Sequence, residues 1–139
     1  MANIRLYFYN RENQPIYQND THYYFEFSRN PDRIEFTHEP EWRIRHSGTS
    51  FYPRARYRRR QTLRVTLSGL LPWNDINSLD TLIEPNEETR VVVKNCDVID
   101  ENEIWAMTKL SYTVTEKFDL NGNRMLEYQL VLERIGRLS

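Results

Sequence analysis

The sequence predicts an α+β fold that is mostly β: a β-sandwich or barrel-like domain with one short flanking helix and a long C-terminal hairpin. Three observations predict it. The chain has 139 residues, which suits a single domain spanning 1–139. Apolar residues alternate at period two in two long segments near residues 61–69 and 125–134. Helical spacing of apolar residues occurs in one segment, Pro72 to Leu82.

The first 60 residues divide into short strands and loops, and residues 61–136 form the expected core, with a helix over 74–84. Ile4, Leu6 and Phe8 alternate with Arg5 and Tyr7, which predicts a first strand. The aromatic run Tyr23 to Phe27 predicts a second strand, suited to a sheet edge. Asn30-Pro31-Asp32 marks a turn. Ile34, Phe36, Trp42 and Ile44 suggest further short strands around Pro40. Ser47-Gly48-Thr49-Ser50 and Pro53 mark a long loop, inside which a run of arginines begins.

In Gln61 to Gly69, Leu63, Val65 and Leu67 face one side, and Thr62, Arg64, Thr66 and Ser68 the other. This predicts a half-buried strand ended by Gly69. The helix follows, with Asn74 or Asp75 as N-cap, Ile76, Leu79, Leu82 and Ile83 on one face, and Pro85 as its stop. Val91-Val92-Val93 predicts a strand covered on both faces. Asp100 to Glu103 is a polar turn, and Ile104–Thr115 and Met125–Arg134 are long strands joined through Asn121-Gly122. That dipeptide tolerates positive φ and is a strong hairpin signal.

Cys96 is the single cysteine, so the chain forms no intrachain disulfide, and a free thiol fits a reducing cytoplasm. No stretch approaches the roughly 18 apolar residues of a membrane span, and Met1 to Arg5 lacks a signal peptide's apolar run. The net charge of −1 argues against bulk attraction to nucleic acid. The charges are nonetheless segregated. Arg54 to Arg64 holds six arginines and no acid, whereas Asp75 to Glu103 holds nine acids against Arg90 and Lys94. Such segregation serves self-association through complementary surfaces. Sixteen arginines, three lysines and nine tyrosines also match interface composition.

Catalytic and cofactor chemistry finds no constellation. His22, His38 and His46 lack metal-binding spacing, and His38 beside Glu39 and Glu41 reads as solvated loop residues. No serine sits in a nucleophile elbow, and no glycine-rich phosphate loop exists. Asp97, Asp100, Glu101 and Glu103 do not follow an EF-hand spacing. The expectation is a protein without catalytic residues, metal or cofactor. The sharpest local feature is Arg54, Arg56, Arg58, Arg59 and Arg60. Three readings apply to it: phosphate binding with Tyr52 and Tyr57 stacking on bases, a solvated loop, or a subunit contact with a neighbour's Asp97, Asp100, Glu101 and Glu103. Near-neutral total charge favours the last over the first.

Three pieces carry a family resemblance in order. Thr62 to Gly69 is followed by the helix with Leu79 and Leu82. Arg90-Val91-Val92-Val93 leads to Ile104-Trp105-Ala106-Met107. Tyr112 to Phe118, Asn121-Gly122 and Glu127 to Arg134 close the domain. Residues 42 to 136 thus resemble the tail protein U family of contractile-tailed phages, and more broadly the tail-tube, tube-initiator and distal-tail proteins that share its fold. Asn30 to Ile34 and Trp42 also look like entry strands of phage hub and adaptor proteins. The arginine run and the acidic turn at 97–103 depart from the pattern. The resemblance implies a virion structural protein assembled in the host cytoplasm. It would form a homo-hexameric ring, contact other tail or baseplate proteins and surround a DNA channel. A baseplate-proximal or tube-end ring is preferred to the repeated tube. DNA must slide through such a channel without sticking, so Arg54 to Arg60 are expected to face a neighbouring protein. The alternative is a small nucleic-acid-binding domain using the 54–64 arginine cluster.

Overall fold

A computed structural model describes residues 3–10, 12–45, 54–82 and 90–138, with side-chain surroundings described except at 18, 39–45, 54–62 and 81–82. Nine strands and one helix follow in order: β1 Arg5–Tyr9, β2 Tyr17–Gln18, β3 Thr21–His22, β4 Tyr24–Glu26, β5 Arg33–Arg45, β6 Arg54–Pro72, α1 Trp73–Leu82, β7 Arg90–Lys94, β8 Glu103–Phe118 and β9 Arg124–Arg137. Seven strands form one antiparallel sheet in the order β4-β1-β7-β8-β9-β6-β5, and β2 and β3 form a separate ribbon. The fold is α+β and mostly β, as expected, and the sheet is not closed into a barrel.

The chain itself forces that sheet to curl. β4 and β5 stand at opposite ends of the sheet, yet residues 27–32 alone join them. Seven flat strands at about 4.8 Å spacing span about 29 Å. Seven Cα steps from Glu26 to Arg33 reach at most about 25 Å. Phe27 crosses the enclosed space. It is fully buried and stacks on Tyr128 of β9 at 6.1 Å. The main core gathers Leu6, Phe8, Phe27, Val65, Leu67, Leu71, Trp105, Leu130 and Leu132 there, with Ile76 and Leu79 of α1.

The alternations predicted for β6 and β9 hold. Leu63, Val65 and Leu67 are buried while Arg64, Thr66 and Ser68 are half-exposed, and Leu126, Tyr128, Leu130 and Leu132 are buried opposite. β7 is covered on both faces. Val91 and Val93 enter the main core, and Val92 packs with Tyr9 and Ile104 in a second cluster on the other face. Beside that cluster the β2–β3 ribbon seats His22 between Tyr7 and Tyr9, with its Nε2 2.9 Å from the Phe8 carbonyl oxygen. The ribbon turns through Asn19 and Asp20, both at positive φ, a primed turn that the sequence reasoning missed.

Four expectations are corrected. Pro40 does not divide the segment into two strands: β5 runs through it, with a register shift just beyond it, because β5 is an edge strand and tolerates a missing N–H there. Gly69 does not end β6, which continues to Pro72. Its missing side chain instead admits the β4–β5 link; a Cβ at Gly69 would lie 2.9 Å from Asp32 N, whose hydrogen bond goes to Ser68 O. The arginine run does not start in a loop, since the backbone of Arg54–Arg60 is already in β6. The helix begins at Trp73, directly off β6, so Asn74 and Asp75 lie inside its first turn and do not cap it. Asp75 accepts the Ser28 hydroxyl and ties the helix to the β4–β5 link. The expected loop at 47–53 and the expected end of the helix at Ile83 and Glu84 lie outside the described residues.

Gly69→Ala should destabilise the fold by about 1–3 kcal/mol through this overpacking. Gly136→Ala, which meets open space, is the control and should be nearly neutral. Urea unfolding midpoints at unchanged slope check both.

Candidate assembly surface

Two strands leave the body of the sheet with one side unpaired. β6 pairs with β9 from Pro72 back to Arg64, where Arg64 Nε lies 3.5 Å from Glu133 Oε2. β5 and β6 continue pairing to Arg45 and Arg54. Residues 39–45 and 54–62 therefore form a two-stranded arm beyond the body, about 23 Å long at about 3.3 Å for each residue of the β5 side. Its register shifts once. Pro40 pairs with Gln61 and Trp42 with Tyr57, so Arg58-Arg59-Arg60 bulges opposite the single residue Glu41. Bulges of this kind bend a strand and raise its twist.

β8 is the second case. β7 meets it at Trp105 and Ala106. From Met107 to Phe118, no strand among the described residues pairs with that side of β8. Tyr112 and Val114 stand on the face of Leu126 and Tyr128, their partners in β9, yet Val114 is 59% exposed. Trp73 of α1 meets the Tyr112 ring edge-on at 6.2 Å and is also exposed. An apolar stripe thus runs beside an open strand edge, the arrangement that templates another strand. The sequence identified these residues as a strand. Their exposure was not legible, because alternation does not reveal where a covering layer ends.

The hairpin beyond this edge is firmly built. The Asp119 carboxylate accepts the backbone N–H groups of Asn121 at 2.9 Å and Asn123 at 2.8 Å, and the Asn123 side-chain amide at 3.2 Å. Gly122 supplies the one positive φ, +81°, while Asn121 does not need one. Thr115 Oγ1 donates to Met125 O, and the Arg124 guanidinium lies 5.0 Å over the Phe118 ring. This turn presents Leu120 fully exposed.

Three of the four predicted acidic residues have partners within the chain. Asp100 pairs with Arg137 at 3.2 Å and Glu103 with Arg134 at 3.0 Å, both across the β8–β9 end of the sheet. Glu101 lies 3.5 Å from the Asn95 N–H, and Asp97 is exposed. Arg54, Arg56, Arg58, Arg59 and Arg60 are placed on the arm, while their side chains lie outside the described residues.

No group of three His, Cys, Asp or Glu suited to a metal occurs among the described residues. His38 is exposed on β5, and Cys96 is buried at the core margin. A cleft of about 480 Å³ lies over the sheet near Asp32, Gly69, Tyr112 and Lys117, with Tyr128 at its wall. Burial pushes the Tyr128 hydroxyl above the ordinary tyrosine range, so it remains protonated. No helix among the described residues is long and apolar enough to cross a membrane.

No protein-family model and no curated protein matches the chain. Among solved structures it is similar to a chain of the anti-feeding prophage (AFP) baseplate, determined by cryo-EM with 6-fold symmetrisation. The identity is 12%, the alignment covers 97% of this chain and 90% of that one, and the TM-score is 0.38. A likeness at that level carries no argument about function.

The three hydrogen bonds from Asn121 and Asn123 hold the Asp119 carboxyl below the ordinary carboxylate range. A folded pKa below the unfolded value adds stability above the unfolded pKa, about 3.9, and loses it as pH falls through the folded pKa. The Asn123 amide chemical shift should therefore titrate with a midpoint below about 3.9. In Asp119→Asn that step should vanish.

Proposed function

We propose that this chain is a non-enzymatic structural subunit that assembles, through the open edge of β8, into a ring of a phage tail or related injection particle. The carrying observation is that edge: Met107 to Phe118 without a strand partner on one side among the described residues, flanked by exposed Trp73, Tyr112 and Val114. Left bare, it would be an aggregation site; ring closure covers it in every copy. The sequence resemblance to tail protein U over residues 42–136 supports the particle type. A hexameric ring around a DNA channel, at a baseplate-proximal or tube-end level and in contact with other tail proteins, is the specific form of the proposal.

Negative-stain imaging of the purified protein tests this. The wild type should form closed rings. Val114→Lys should remain monomeric, since a lysine at an edge blocks strand addition. Its unfolding midpoint should change by no more than about 0.5 kcal/mol, because the position is exposed. A wild type that stays monomeric at every concentration overturns the proposal.

A further inference from the structure

We infer that the β5–β6 arm is an electrostatic docking arm whose partner is the acidic body of a second copy of this chain. The inference rests on the assembly proposed above and identifies a second contact, distinct from the β8 edge.

Charge separation is the first argument. Residues 39–60 carry seven arginines and two glutamates, a balance of +5, so the rest of a chain of net charge −1 carries −6. Topology adds a physical separation to this chemical one. β9 pairs with β6 no farther than Arg64, so the described arm strands lie outside the body that carries the negative excess. Asp100 and Glu103 are held by Arg137 and Arg134, arginines of the body itself. A second copy supplies a matching excess of opposite sign.

Stability is the second argument. An isolated two-stranded ribbon is marginal in water. Five arginines within seven residues add self-repulsion. Contact with an acidic surface relieves both costs, and arginine suits that role because its guanidinium binds carboxylates in a bidentate fork. Bulges such as the one at Arg58–Arg60 bend and twist the strand that carries them. A contact that points away from its own sheet and toward a neighbour uses such a bend.

The contact is heterologous, because a basic arm meets an acidic body. Repeated head to tail, it generates a ring or a filament. That agrees with assembly through β8 without depending on the same residues.

The test uses the full chain. Light scattering and sedimentation are followed from about 50 mM to about 500 mM NaCl, a range over which screening becomes strong. The expected result is assembly at low salt that weakens about tenfold or more at high salt. The variant Arg54→Gln, Arg56→Gln, Arg58→Gln, Arg60→Gln should lose the low-salt assembly while keeping its circular dichroism spectrum. Asp97→Lys with Glu101→Lys tests the acidic turn as the acceptor: weaker assembly supports it there. Equal assembly of wild type and the arginine variant overturns the docking arm and leaves the β8 proposal standing. A wild type that never assembles overturns both. If the arginine variant assembles normally but loses a salt-sensitive shift with duplex DNA, the arm's partner is nucleic acid and the inference fails.

Discussion

The six residues between β4 and β5 govern the rest of this structure. They join the two ends of a seven-stranded sheet that, laid flat, they could not span. Curling creates the interior that Phe27, Trp105 and Tyr128 fill. It also explains the special residues along the link. Asn30 Oδ1 receives the N–H of Ile4, Ser28 reaches Asp75 on the helix, and Asp32 rests on the bare backbone of Gly69. Each anchors the link to a different part of the sheet.

A curled but open sheet leaves its strands with unequal surroundings. β7 is enclosed on both faces, so three consecutive valines are its natural sequence. β8 begins in that enclosed region with Ile104 and Trp105 and leaves it beyond Met107. The strand then bulges where Thr108 Oγ1 donates to Val131 O. One continuous strand thus passes from a core environment to a recognition environment. That passage lets the same hairpin serve stability at one end and assembly at the other.

Much of this was legible in the sequence where side-chain burial sets the pattern. Leu63, Val65 and Leu67, the alternation from Leu126 to Leu132, and the Val91–Val93 run each carry the signature of their surroundings. The illegible features depend on partners distant in sequence. Gly69 has the appearance of a strand stop until Asp32 is seen against it. The strand at 54–60 has no apolar alternation, because backbone pairing with β5 defines it. Pro40 looks like a break because a local rule cannot tell an edge strand from a central one. Two carboxylates of the acidic turn meet Arg134 and Arg137, some thirty positions away in the chain, pairings that no local pattern reveals. The apolar stripe on β8 was assigned to a strand without its exposure, since the strand period is the same under a covering layer and in water.

β6 spans arm and body as one strand of 19 residues, with no joint except the bulge at Arg58–Arg60. Its body half is fixed between β5 and β9, and its far end belongs to the arm alone. Force applied to the arm therefore passes along the two backbones of β5 and β6 into the edge of the sheet, next to β9, the strand that carries the Phe27–Tyr128 contact. The subunit is mechanically one lever, with its fulcrum at the start of the β6–β9 ladder and its compliance concentrated in three arginines.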